Sequence, residues 1–284
     1  RHLVKDHRRR HEVERFVRQP CLVSAFLQES HVTRLILRSL HTGNVQARRG
    51  KIDDSGGDTE GGKKLYYHLT LLAETNEGYR NLIQLASLAF LEGYYYKPRM
   101  DWELLEKYHH GLIATTGCLG GHVLQSLLQG DTKGAIDKAG RLQEIFGRDN
   151  LFVELQDHGL QAQRDTNPQL IDLAKRIVAP IIATNDSHYV HRDDHEAHDA
   201  LLCVQTGANL SDPKRFKFEG QEHYLKSAAE MRQVWRELPE ACDNTLLIAE
   251  RCAVSFDEGR NLMPAFPVPD GHTEQTYLRE QVLA

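Results

Sequence analysis

Thr184-Asn185-Asp186-Ser187-His188-Tyr189 follows the apolar run Ile177–Ala183 and sets a carboxylate and an imidazole two residues apart. In extended backbone, alternate side chains share a face, so Asp186 and His188 would project together from the end of a buried strand. A carboxylate oxygen and an imidazole nitrogen placed in that way suit a divalent metal ion. A polar loop after a strand uses the same residue types, and the spacing alone does not separate the two readings.

Other residues could join such a site. Cys118 lies in Thr115-Thr116-Gly117-Cys118-Leu119-Gly120-Gly121, where a strand, a Gly turn and a helix start would leave the thiol near backbone N–H groups. That setting favours thiolate, the metal-binding form. A small buried residue at a tight turn is the alternative. His68 sits in the strand-like Tyr66–Leu72, with Tyr66 and Thr70 as its alternation partners. A lone strand histidine is more often satisfied by a hydrogen bond. Asp157 and His158 form a second Asp/His pair at a strand end, placed either to orient metal ligands or to start a solvated loop. His191, His195 and His198 have helical spacing, but Asp and Glu interleave them, as on an exposed face. Two cation–aromatic strings, Tyr94-Tyr95-Tyr96-Lys97-Pro98-Arg99 and Lys214-Arg215-Phe216-Lys217-Phe218, suit single-stranded nucleic acid through stacking and phosphate contact. Tyr96, Lys97, Arg99, Lys214, Arg215 and Lys217 are the contact candidates. Packing of amphipathic loops is the alternative. Walker, Gly-x-Ser-x-Gly and HExxH strings do not occur, so serine-nucleophile hydrolysis has no support.

The elements that must position these residues alternate from Leu65 onward. Strands are expected at Leu65–Ala73, Leu112–Thr116, Leu151–Leu155 and Ile181–Thr184. Helices are expected at Glu77–Ala89, Trp102–Lys107, Gly121–Leu128, Thr132–Phe146, Asn167–Val178 and Asp193–Gln205. Asp131 reads as a helix cap, Gly147 as a stop and Pro168 as a first-turn residue. Strand–helix alternation argues for parallel strands with helices outside, in an open α/β sheet or a barrel. In barrels, functional residues gather where strands end, which favours Cys118, Asp186 and His188, while His68 reads as deeper in its strand. Residues 1–50 are Arg-rich with no clean alternation, and a helix over Leu22–Leu40 is expected there. Ile52–Lys64 reads as a linker. After Leu210 come helices at Ala228–Glu237 and Glu240–Arg251, then a proline-rich linker at Leu262–Pro269.

Bulk properties bound the rest. A chain of 284 residues with 40% hydrophobic and 26% charged residues has ordinary soluble composition and allows one or two domains. A net charge of −5 confines any nucleic-acid contact to local patches. No apolar run approaches a membrane span and no signal peptide is evident. Five cysteines, odd in number and without a CxxC pair, fit the reducing cytoplasm. Sixteen histidines are many for this length; metal sites are one cause of such an excess and chance surface usage is the other. A start at Arg1 and an end at Ala284 inside a helical pattern suggest a fragment.

The strings Tyr67–Ala73, Glu92–Arg99, Ala114–Cys118, Glu154–Gly159 and Ala183–Tyr189 occur in this order, followed by Ala200–Gly207, Phe216–Phe218 and Tyr224–Ser227. Together they resemble the PHP (polymerase and histidinol phosphatase) domain of bacterial replicative DNA polymerase III alpha subunits, from about Gly43 to Ala284. The resemblance implies a distorted (β/α) barrel with a polynuclear centre of divalent metal (zinc, manganese or magnesium). Its ligands here would be His68, Cys118, Asp186 and His188. Some members of the family trim mispaired 3′ ends at this centre, and in others the site is degenerate. The parent would be a DNA-directed DNA polymerase with DNA primer–template and replisome subunits as partners and no membrane association. Its palm carboxylates would lie beyond Ala284.

This chain departs from the family at its start. The His-x-His strand, the following Asp, the Thr-Asp-His-Gly turn and the Glu strand have no counterpart in residues 1–45, which leaves over half the ligands missing. Leu40-His41-Thr42-Gly43-Asn44 is a superficial echo of the turn. A shifted reading frame or damaged gene end is the hypothesis for residues 1–45, motivated by the abrupt change in composition. A coding sequence in which no alternative frame restores those strings would sink it. The sequence therefore divides into an unassigned segment at 1–45, an incomplete barrel at 46–210, and a C-terminal part with a linker toward a palm at 211–284. It reads as a fragment of the polymerase subunit, inactive by itself. A free-standing metal-dependent phosphoesterase and a non-catalytic replisome scaffold are the alternatives.

Overall fold

The computed structural model describes residues 66–94, 98–256, 259, 263 and 266–284, together with 34–38, 59–60 and 63–64; of those last three stretches and Tyr66 it describes the backbone. Two compact units are distinguished, the first running to Val254 and the second Ser255–Ala284.

The first unit is mixed α/β, built on an open sheet. Its strands are β1 (Arg34–Arg38), β4 (Tyr66–Ala73), β5 (Leu112–Thr115), β6 (Leu151–Gln156) and β7 (Ile181–Thr184), hydrogen-bonded in the order β1-β4-β5-β6-β7. Strands β2 (Thr59–Glu60) and β3 (Lys63–Lys64) form a separate antiparallel pair within the stretch expected to be linker. β5, β6 and β7 run parallel, as the alternation suggests. β4 runs antiparallel to β5, against that expectation. Two helices, α1 (Asn76–Leu91) and α2 (Trp102–Lys107), separate β4 from β5. One helix returns the chain to the end where a strand began, whereas a pair returns it to the end where the strand finished. Glu74 N–H accordingly donates to Gly111 O at 2.9 Å, joining the exit of β4 to the entry of β5.

Arg34–Arg38 is a strand paired with β4, so this part of Leu22–Leu40 is not the expected helix. Leu35-Ile36-Leu37 is an apolar run of strand length, which periodicity cannot distinguish from a helical segment. The rest of that stretch lies outside the described residues.

The remaining helices of this unit are α3 (His122–Leu128), α4 (Thr132–Phe146), α5 (Gln161–Ile177), α6 (His195–Thr206), α7 (Ala228–Val234) and α8 (Pro239–Arg251). Local caps set their starts: Thr75 Oγ1 accepts from Gly78 N, Asp101 Oδ1 from Leu104 N and Asp131 Oδ1 from Gly134 N. α5 begins six residues before the expected Asn167 and carries Pro168 inside it. Pro168 is on the solvent side, where water can satisfy the carbonyl that its missing N–H leaves without a helical partner. α6 is preceded by a 3₁₀ turn at Arg192–Asp194. No helix among the described residues is long and apolar enough to cross a membrane.

β5 and β6 are buried at every position, because both faces of the sheet are covered. One face packs Tyr67, Leu69, Leu71, Leu112 and Ala114 into the large core under α1–α5. The opposite face has a floor of Leu72, Ile113, Phe152 and Ile182, closed by Ile248 of α8. Above the floor is a polar layer. Glu154 accepts from Thr115 Oγ1 (2.5 Å), Thr184 Oγ1 (2.5 Å) and Gln156 Nε2 (2.9 Å). Layered side chains from neighbouring strands are the way a barrel interior is filled. The C-terminal ends of β5–β7 form the rim over this layer. In the second unit, α9 (Glu274–Leu283) starts at a Thr273 cap and buries no residue.

Candidate metal centre

The rim after β7 is built from two segments. Asn185, 2% exposed, fixes the chain leaving the strand. Its Nδ2 donates to Tyr224 O (2.6 Å) and Ser187 Oγ (2.8 Å), and its Oδ1 accepts from the buried Lys226 Nζ (3.3 Å). His188 N donates to His223 O (2.7 Å), and Leu225 N to Tyr189 O (3.0 Å). Residues 223–225 therefore lie along 186–189 like a short added strand.

This pairing brings His223 to the site. Asp186, His188 and His223 offer ligand atoms that all lie within 4.8 Å of one another. Asp186 Oδ2 and His188 Nε2 are 3.4 Å apart. Two ligands at zinc distances of about 2.0–2.1 Å and a tetrahedral angle stand about 3.3 Å apart. Asp186 O lies 3.2 Å from His223 Nδ1. A carbonyl only accepts, so Nδ1 carries the proton and Nε2 keeps its lone pair.

His158, 2% exposed, supports the same turn: its Nε2 accepts from Asp186 N at 3.1 Å, and its ring stacks on His223 at 4.2 Å. The Gln163 side chain spans His158 N (2.7 Å) and Nδ1 (2.9 Å). Burial, with the neighbouring His223, pulls His158 down to about 3. Burial also lowers His223. Both rings are thus neutral at pH 7, the form that accepts hydrogen bonds and ligates metal. Phe218 meets His188 (4.6 Å), His223 (4.8 Å) and His198 (5.0 Å), forming an apolar wall.

His68 and Cys118 meet at a different place. Cys118 Sγ lies 3.5 Å from His68 Nδ1. Because β4 is antiparallel, His68 near its start lies at the C-terminal rim of β5, not deep in the sheet as its sequence position suggests. Its N–H donates to Gly120 O at 3.0 Å. Gly117 makes the turn between strand and thiol at φ 78°, where a Cβ would be strained. The expected four residues thus come together as two pairs. β6 lies between the strands that carry Cys118 and Asp186, and at roughly 4.8 Å per strand the two ends stand about 10 Å apart.

Of the pair at the end of β6, His158 reaches Asp186, whereas Asp157 Oδ1 accepts from Gly159 N within its own turn. Among the nucleic-acid candidates, Tyr96 and Lys97 lie outside the described residues. Arg99 is buried, and Arg215 is held by Asp199 in a two-pronged ion pair (2.5 Å each). Lys214 and Lys217 are exposed. His223 escaped sequence reasoning because its partner segment is 35 residues earlier in the chain; only its place beside the family-like Tyr224–Ser227 string pointed toward it.

One carboxylate oxygen and two imidazole nitrogens fit a zinc-type ion, with an open position for solvent. This structure therefore has a candidate His/Asp metal site, of the kind on which PHP domains generally depend. Residues 22–158 match the PHP domain family, beginning within the segment 1–45. The chain is 52% identical over 221 residues to DNA polymerase III subunit alpha of Mycobacterium leprae, covering 76% of this chain and 19% of that protein. It is 50% identical over 229 residues to the subunit alpha of Mycobacterium tuberculosis (79% and 19%) and 43% identical over 242 residues to that of Thermus aquaticus (82% and 19%). The chain spans about a fifth of the length of these relatives.

Proposed function

We propose that this chain is the PHP portion of a bacterial DNA polymerase III alpha subunit, since residues 22–158 match the PHP domain family and its relatives carry that name. The observation that carries this reading is identity of about half the residues over more than three quarters of the chain. The parent protein would then be a DNA-directed DNA polymerase of the cytoplasm, meeting primer–template DNA and the other replisome subunits. Continuation of the coding sequence past codon 284 into polymerase palm carboxylates is expected, and a stop codon there would remove this reading.

Within that subunit, the rim after β7 would hold a divalent cation, with zinc favoured by the N/N/O donor set over manganese or magnesium. A bound cation of this kind polarises water and neutralises phosphate charge. This chain's own residues fix the site: His158 holds the Asp186 backbone, Asn185 and Lys226 pin the turn, and Phe218 covers the imidazoles. A polynuclear centre also needs ligands from the other side of the rim, where His68 and Cys118 are present but the family's His-x-His, Asp, Thr-Asp-His-Gly and Glu ligands have no counterpart in residues 1–45. We therefore assign the chain a supporting role and no 3′–5′ trimming activity of its own. The test is digestion of a primer with a mispaired 3′ end in zinc, manganese and magnesium. No trimming above buffer is expected; trimming abolished by Asp186→Ala would instead favour a metal-dependent exonuclease or phosphoesterase.

A further inference from the structure

The rim after β7 has one ligand-type side chain that neither the strand-end motif nor the resemblance supplies. We propose that His223 is the third ligand of a single-cation site completed by Asp186 and His188, which binds its ion independently of the His68–Cys118 pair. The inference rests on the reading that Asp186 and His188 hold a cation.

Three observations carry it. The first is orientation. Asp186 O accepts from the Nδ1–H of His223 at 3.2 Å, so Nε2 is left with the lone pair for a metal ion, and His223 offers a ring nitrogen within 4.8 Å of the ligand atoms of Asp186 and His188. A ligating histidine usually hands its other ring N–H to a carbonyl or carboxylate, which fixes tautomer and ring plane. Here the carbonyl that does so belongs to another ligand of the same ion.

The second is rigidity. His223 is 6% exposed, stacked on His158 at 4.2 Å, and its carbonyl accepts from His188 N at 2.7 Å. Holding the third ligand costs little ordering, because main-chain bonds already tie the two segments together. The third is spacing. The 3.4 Å between Asp186 Oδ2 and His188 Nε2 matches two ligands of one tetrahedral ion, and the third atom lies within 4.8 Å of both. Three protein ligands leave a fourth position open to solvent.

The test is titration of the metal-free chain with cobalt(II), a zinc substitute with a visible spectrum, followed by competition with zinc. The unaltered chain should take up one equivalent, without a thiolate-to-cobalt charge-transfer band. His223→Asn keeps a donor where Nδ1 stands and removes Nε2, and it should weaken binding at least tenfold. Asp186→Ala should do the same, and Cys118→Ser should change nothing. Wild-type affinity in His223→Asn overturns the proposal while leaving a cation on Asp186 and His188. A thiolate band, or weakening in Cys118→Ser, places the ion at the other pair and overturns it also. Absence of cobalt binding by the unaltered chain removes both the proposal and the cation reading beneath it. Should His223→Asn fail to fold, the imidazole ¹⁵N shifts of the unaltered chain decide: zinc must move Nε2 of His223, and an unmoved signal rejects the site.

Discussion

The rims after β5 and after β7 each set a deeply buried histidine beside candidate ligands, and the two histidines are held in opposite ways. At the β7 rim, His158 accepts from Asp186 N and contacts Gln163 at both its backbone and its ring. At the β5 rim, His122 opens α3 with its Nδ1 buried and unpartnered, the one such side-chain atom among the described residues. Tyr67 (4.5 Å) and Trp102 (5.6 Å) pack on its ring instead. Burial pulls both down to about 3, with Lys138 adding to the effect on His122. Both rings are buried and similarly lowered in basicity, yet they take different roles. One ring positions a ligand-bearing turn, and the other fills space in an aromatic pocket.

The largest expected effect tests that difference directly. His158→Ala removes a packed ring and leaves the Asp186 N–H and Gln163 Nε2 without their ring partners, while Gln163 Oε1 keeps the backbone N–H of residue 158. A cost of about 3 kcal/mol at pH 7 is expected from the cavity and the lost bonds, measured by urea unfolding. His122→Phe loses no made bond at Nδ1 but adds the extra bulk of a phenyl ring to the pocket, so it should cost only about 1 kcal/mol at pH 7, well below His158→Ala. Equal costs for the two variants would break the comparison.

Acid sharpens it next. His122 is neutral in both folded and unfolded chains above its unfolded value of 6.5. Between 6.5 and about 3 the unfolded chain takes up a proton that the folded chain refuses, so stability falls as pH falls across this window. The contribution approaches 1.4 kcal/mol per pH unit for one such group. His122→Phe should remove that slope, making the variant more stable than the parent at pH 4.5 by about 2 kcal/mol. Parallel pH profiles for variant and parent, measured by chemical unfolding, would show that His122 is solvated.

How far the sequence reaches differs between the two rims for the same physical reasons. Asp186 and His188 were readable as ligand types just past the buried strand Ile181–Thr184, but β7 ends at Thr184 and Ser187 N donates to Asn185 O (2.7 Å), so a tight turn, not strand alternation, sets their spacing. Cys118 was readable from the Gly117 turn. The helix α4 was legible to the residue, since Asp131 and Gly147 mark its ends locally, and α2 has the expected bounds, with Asp101 as its cap in the structure. The sense of β4 was not legible, because it depends on two helices packing between β4 and β5. That reversal is what lifts His68 to the rim and closes it on Cys118. His223 was not legible either: residues 223–225 reach 186–189 through long-range main-chain bonds that no local pattern encodes. Arg215 looked like a phosphate contact until its partner Asp199, 16 residues away, was in view.

The smallest effect separates the rims without unfolding either. Gly120 has backbone dihedrals open to any residue, but a Cβ there would stand 3.1 Å from His68 Nδ1 and 3.4 Å from its Cγ. The His68 ring must give by a few tenths of an ångström, away from the new Cβ, which displaces Nδ1, the atom that meets Cys118 Sγ at 3.5 Å. Gly120→Ala should cost less than about 1 kcal/mol, because the turn keeps its backbone and the substitution also lowers unfolded-chain entropy. Its signature is local. The imidazole resonances of His68 should shift, while those of His158, His188 and His223 stay in place and cobalt affinity is unchanged. Movement of the β7-rim histidines, or a loss of cobalt affinity in this variant, would mean that the two rims act as one site.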